Sequence, residues 1–183
     1  SGGLRDILTG GTVLHMFHPD GTAPVDADGL VATPGDFTTL GNYYQGGGSI
    51  ADLDGDGGRD VIGGAWNSKQ LLAFDAQGTI RPGFPVALAD PILSSVAVGD
   101  LDGDQHLELV FGSLGPALLA FRAKGSEVRD GDNNPATLGV FKSLANGFNI
   151  ATPALAPLLG PGQPAIIYGS ADGFLYALRP DGT

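Results

Sequence analysis

Two nine-residue segments concentrate the residues that could do chemistry. They read Asp52-Leu-Asp54-Gly-Asp56-Gly-Gly-Arg-Asp60 and Asp100-Leu-Asp102-Gly-Asp104-Gln-His-Leu-Glu108. Each puts carboxylates at positions 1, 3, 5 and 9. Alternate acidic side chains on a tight glycine-containing turn converge on one point, where they repel one another unless a cation sits between them. Hard oxygen donors at this density suit Ca²⁺, which takes about 6–8 oxygens. The candidate ligands are Asp52, Asp54, Asp56 and Asp60, and Asp100, Asp102, Asp104 and Glu108. The backbone carbonyls of Gly58 and His106 at position 7 would add one oxygen each, and water could complete the shell. An EF-hand does not fit. It needs a glutamate at position 12 and a helix on either side, whereas position 12 here is Gly63 or Phe111 and the flanks read as strands.

Those flanks are Ser49-Ile-Ala and Val96-Ala-Val-Gly before the loops, and Val61-Ile-Gly-Gly and Leu109-Val-Phe-Gly after them. A loop of this kind between two such strands resembles the calcium loop of FG-GAP repeats, found in integrin α-subunit propellers and in related repeats of bacterial secreted and surface proteins. The resemblance implies that each loop joins the two innermost strands of a propeller blade and that Ca²⁺ is the ion at both sites. The alternative is a pair of solvated Asp/Gly turns. Two loops at one repeat phase favour the metal.

The repeat is visible without the family. Asp6, Asp60, Glu108 and Ala165 align, and glycine follows four residues later at Gly10, Gly64, Gly112 and Gly169. Short apolar runs lie between: Ile-Leu-Thr, Val-Ile-Gly, Leu-Val-Phe and Ile-Ile-Tyr. A second strand then follows in each unit: Val13–Phe17, Gln70–Phe74, Ala117–Phe121 and Phe174–Leu178. The spacings are 54, 48 and 57 residues. Periods of this size, built of short strands and glycine-rich turns, indicate a β-propeller. A sandwich or a solenoid does not naturally account for such a unit. With 31 Gly, 13 Pro and 42% hydrophobic residues in 183, composition agrees with many strands joined by turns, and no stretch keeps a helical period.

The expected fold is therefore all-β, with propeller blades of four-stranded antiparallel sheets. The whole chain, 1–183, reads as a single propeller segment with blade units near 1–45, 46–92, 93–148 and 149–183. The first unit lacks its innermost strand and the last stops after its third, so about four blades are expected, two of them complete, as an arc of a larger ring. Each blade leans on the next, so stability should come from stacking.

The four loops are not equivalent. The fourth reads Pro157-Leu-Leu159-Gly-Pro161-Gly-Gln-Pro-Ala165, of equal length but without carboxylates. No cation is expected there, nor in the first, where Gly2 stands at the place of Asp56. Asp130-Gly-Asp132-Asn-Asn reads as a turn, with a third cation site as the alternative. Asp26 and Asp28 likewise read as a loop. His15, His18 and His106 have no partners at zinc-ligand spacing. Tyr43, Tyr44 and Trp66 could form an aromatic glycan platform but are better read as blade packing. The run Gly46–Gly48 lacks the lysine and hydroxyl residue of a phosphate loop and reads as the approach to an inner strand.

The net charge of −11, which two Ca²⁺ would reduce to −7, argues against nucleic acid and anionic membranes as partners. No apolar run reaches the ~20 residues of a membrane span. With no cysteine, disulfides say nothing about compartment. Loops of this type favour calcium-rich surroundings, hence an extracellular, cell-surface or periplasmic location. The leading expectation is a non-catalytic, Ca²⁺-stabilised module for adhesion, binding or assembly. Its partners would be a protein or glycan ligand, together with further blades of the same polypeptide or of another chain. The alternatives are a lectin-like propeller and an accessory propeller domain of a secreted enzyme. The sequence shows no nucleophile–base pair and no tryptophan-docking repeat, so it is not read as an enzyme.

Overall fold

The structure, a computed structural model, describes residues 6–24, 35–38, 44, 46–145, 147–158, 160 and 164–183. Among them there is no helix. Thirteen strands form four antiparallel sheets. The first pairs β1 (Ile7–Thr9) with β2 (His15–Phe17). The second runs in the order β3 (Ser49–Ala51), β4 (Asp60–Ala65), β5 (Gln70–Phe74), β6 (Val86–Ala87). The third repeats that order with β7 (Ala97–Gly99), β8 (Glu108–Gly112), β9 (Ala117–Arg122) and β10 (Val140–Ser143). The fourth has β11 (Ala154–Ala156), β12 (Ala165–Gly169) and β13 (Leu175–Leu178). Every strand pairs with its neighbour in sequence, which is the meander of a propeller blade, and none of the sheets closes on itself.

The packing explains the apolar runs. Successive residues of a strand point to opposite faces of the sheet. On the second sheet, Val61, Leu72 and Phe74 pack against Leu14, Met16 and Phe37 of the first repeat unit. Their neighbours Ile62, Leu71 and Ala73 pack the other way, against Leu109, Phe111, Leu119 and Phe121 of the third sheet. The third sheet does the same: Val110, Leu118, Ala120 and Phe141 turn toward Ile166, Tyr168 and Leu178 of the fourth. Both faces of a middle blade are thus buried, so its strands are apolar throughout rather than alternating with polar residues. Each fully buried Leu, Ile or Phe contributes about 1.5–3 kcal/mol.

Two details position the loops. The inner strands approach closely: Ser49 Oγ donates to the Val96 carbonyl, and the Ser95 amide donates to Thr152 Oγ1 at 3.1 Å. The β3–β4 and β7–β8 registers are identical in form, Ala51 opposite Asp60 and Gly99 opposite Glu108. The residue that ends each loop is therefore also the first residue of the second strand.

The repeat units are unequal. Among the described residues the first sheet has two strands, with His15 bridged to Asp36. Its second strand begins at His15, and Val13 and Leu14 precede it. Phe174, expected in a strand, lies just before β13 and is exposed.

Candidate metal centre

Each loop folds on its own carboxylates. In the first, Asp52 accepts the amides of Gly55 at 2.7 Å and Gly57 at 2.9 Å. Asp54 accepts that of Asp56 at 3.4 Å, and Asp56 that of Gly58 at 2.6 Å. The second repeats the pattern. Asp100 accepts from Gly103 at 2.7 Å and Gln105 at 3.0 Å, Asp102 from Asp104 at 3.3 Å, and Asp104 from His106 at 2.8 Å. The position-9 acid closes each loop: Asp60 Oδ2 accepts the Leu53 amide at 2.9 Å, and Glu108 Oε2 accepts the Leu101 amide at 2.8 Å. Positions 4 and 6 are left-handed in both, with φ of 77° and 85° at Gly55 and Gly57, and 83° and 69° at Gly103 and Gln105. Glycine suits such positions because it has no Cβ to clash.

This folding draws Asp52, Asp54 and Asp60 together, and likewise Asp100, Asp102 and Glu108. In each group one ligand atom per residue lies within 4.8 Å of the others. Asp56 and Asp104, expected at position 5, stand outside these groups and cap the amides of Gly58 and His106 instead. Position 9 is buried and position 3 exposed, so each group opens from the blade toward solvent.

Sequence reasoning missed two arginines. Arg81, from the β5–β6 connection, donates Nη1 to Asp60 Oδ1 at 2.9 Å and Nη2 to Asp54 Oδ2. Arg122, the last residue of β9, places Nη1 3.4 Å from Asp102 Oδ2 and 3.7 Å from both Asp104 Oδ2 and Glu108 Oε1. Neither falls at a repeated spacing from its loop. The nearest signal was the residue after the last apolar position of the second strand, which is His18, Asp75, Arg122 or Arg179 in the four units. His18 follows suit, with Nδ1 2.6 Å from Asp6 Oδ1.

The electrostatics follow from burial. Burial pushes the Glu108 carboxyl up, with Asp102 and Asp104 adding to the rise and the Leu101 amide and Arg122 opposing it. Burial likewise raises Asp60, while the Arg81 hydrogen bond lowers Asp54. Glu108 is fully buried and its Oε1 has no hydrogen-bond partner. An orphaned buried carboxylate oxygen beside two further carboxylates fits a hard divalent cation, for which all-oxygen donors are the preferred set. Asp52, Asp54 and Asp60, with Asp100, Asp102 and Glu108, would hold such ions. Bound there, a cation supplies charge compensation and crosslinks the two inner strands.

The remaining candidates lie elsewhere. Asp130 and Asp132 accept the Asn134 amide at 3.0 and 3.1 Å, and Thr137 donates to Asp132 at 2.7 Å, which is a self-satisfied turn. His15 Nδ1 is 2.8 Å from Asp36 Oδ1. Tyr44 is buried, its hydroxyl pushed up to about 12, and Trp66 is half-buried. Gly2, Asp26, Asp28, Tyr43, Leu159 and Pro161 lie outside the described residues.

No curated protein matches this chain by sequence. Among solved structures it is similar to the biofilm matrix protein Bap1 of V. cholerae, with a TM-score of 0.59 and 14% identity over 98% of this chain and 26% of that one. It is also similar to BBS1N, solved in complex with ARL6DN, with a TM-score of 0.50 and 12% identity over 97% of this chain and 48% of that one. The chain thus spans about a quarter of the first structure and about half of the second, and at these identities the likeness speaks for the fold alone. The family described as FG-GAP-like repeat matches residues 52–111, from the first residue of one carboxylate loop to the strand that leaves the other. With their meander sheets and paired acidic loops, residues 52–111 are thus similar to the FG-GAP-like repeats.

Proposed function

We propose that this chain is a non-catalytic β-propeller segment whose middle blades are clamped by Ca²⁺ at loops 52–60 and 100–108, and that it serves as an extracellular module for adhesion or assembly. The observation that carries the calcium reading is the fully buried Glu108, whose Oε1 lacks a hydrogen-bond partner within reach of Asp100 and Asp102. Such a group costs about 1–3 kcal/mol when left unpaired, and a bound cation would turn that cost into an attraction. The FG-GAP-like repeat supports the non-enzymatic reading. The calcium-rich exterior, where sites of this kind fill, supports the location. Assembly is favoured over glycan binding because Tyr44 is buried and cannot stack on a sugar, whereas the outer face of the fourth sheet carries an exposed Leu175. The occupant proposed for that face is another blade.

The test is thermal unfolding with calcium and with chelator. A ligand held by the folded state alone adds RT ln(1 + [L]/Kd) to stability. Calcium is expected to raise the Tm, and Asp102→Ala to remove most of that rise. Equal melting curves in calcium and chelator would refute the reading.

A further inference from the structure

The two loops match in their amide hydrogen bonds and differ in what faces the inward oxygen of the position-9 acid. In loop 52–60 that oxygen, Asp60 Oδ1, is taken by Arg81 Nη1 at 2.9 Å, while Nη2 of the same guanidinium holds Asp54. One planar group therefore bridges positions 3 and 9, and the Arg81 side chain is only 16% exposed. In loop 100–108 the corresponding Glu108 Oε1 has no hydrogen-bond partner. Arg122 stands 3.7 Å away from it and 40% exposed. We infer that Arg81 is a built-in counter-ion that makes loop 52–60 the weaker of the two cation sites, so that cation binding there requires its guanidinium to swing out. The inference rests on the calcium reading above.

The charge argument is direct. Asp54 and Asp60 are two of the three grouped ligands of the first loop, and both oxygens facing Arg81 are committed to it. A divalent ion entering the group would meet a fixed positive charge at contact distance and would have to break two charge-assisted hydrogen bonds, which are about twice as strong as neutral ones. Arg122 imposes less: its Nη1 lies 3.4 Å from Asp102 Oδ2 and 3.7 Å from Asp104 Oδ2 and Glu108 Oε1, and a 40% exposed side chain makes a weaker ion pair than the 16% exposed Arg81. The displaced guanidinium has somewhere to go. A cleft of about 450 Å³ beside the loop is lined by Arg81, Asp56, Asp60 and Asp75. Asp75 occupies the position where the first and third repeats carry His18 and Arg122. An acid there gives Arg81 a second seat. Loop 52–60 would then keep its shape at low calcium, whereas loop 100–108 depends on the ion.

Isothermal titration of the chelator-stripped chain with CaCl₂ tests this. Two affinity classes are expected. Arg81→Gln should strengthen the weaker class by about tenfold or more, since it removes a unit positive charge at contact distance from the entering cation. Asp102→Asn should remove the tighter class and leave the weaker one. A weaker constant within twofold of wild type in Arg81→Gln overturns the inference, as does loss of the weaker class in Asp102→Asn or a wild type with two equal classes. Absence of calcium binding in wild type and variants alike overturns the calcium reading as well. Should Arg81→Gln fail to fold, the wild-type protein decides the matter by NMR. The Arg81 Nε–H resonance should move with the weaker binding step, and movement with the tighter step, or none, refutes the inference.

Discussion

The Leu101 amide donates to Glu108 Oε2 at 2.8 Å and so ties the second residue of a loop to its last. The bond fixes one carboxylate oxygen and leaves the other buried without a partner. Replacement Glu108→Gln keeps an oxygen for Leu101 and puts an NH₂ beside Asp102 in place of a buried charge. In chelator this variant should be more stable than wild type by about 1 kcal/mol, since a buried unpaired charged oxygen is replaced by a neutral donor. In calcium the order should reverse, because a ligand is lost. Melting curves under the two conditions check both signs.

Gln105 adopts φ 69° at the place where the first loop has Gly57 at φ 85°. A side chain there costs about 1–2 kcal/mol, partly offset by the entropy that glycine loses on folding. Gln105→Gly should therefore stabilise the chain by up to about 1 kcal/mol, measured by denaturant unfolding. A loss of stability would show that the Gln105 side chain contributes more than its backbone strain costs.

Gly112 ends β8 where the third and fourth sheets meet. A Cβ there would run into the Asn149 carbonyl oxygen and the Tyr168 hydroxyl. The first is backbone and cannot give way as a side-chain tip can. Gly112→Ala should cost about 1–3 kcal/mol or more, the range of overpacking, and should loosen the contact between these two sheets first. Hydrogen exchange of the β12 amides is the readout. Unchanged protection would refute the close approach.

Leu175 is 76% exposed on the face of the fourth sheet turned away from its core. Exposed apolar sheet faces favour association. Leu175→Lys should lower self-association in light scattering and leave the unfolding free energy within about 0.5 kcal/mol of wild type, as surface substitutions do. Equal scattering from both proteins would mean that this face is not the sticky one.

The sequence made β4, β5, β8 and β9 legible because both faces of a middle blade are buried, which leaves uninterrupted apolar runs between glycines. The loops were legible because their carboxylates alternate on a glycine-containing turn at one repeat phase. At position 5, Asp56 and Asp104 accept the amides two residues on, as Asp54 and Asp102 do at position 3, but lie outside the grouped carboxylates, a difference the spacing alone does not show. Arg81 and Arg122 were invisible because they approach from another hairpin, 27 and 20 residues away from Asp54 and Asp102, at offsets that do not recur. Strand β6, only Val86–Ala87, is too short to leave a pattern. Tyr44 shows the limit of reading aromatics by type: an exposed platform and a buried plug use the same residue.

The division of each strand between two clusters, Val61 turned one way and Ile62 the other, bears on how damage spreads. Among the described residues no blade owns a core that could fail in private, and none of the core clusters reaches past neighbouring blades. A defect in Leu14 is felt at Phe74 and must cross Ile62, Phe111 and Val110 before it reaches Ile166. The chain behaves mechanically as links in series. Strain decays from blade to blade, and the two acidic loops sit in the links that carry load from both directions.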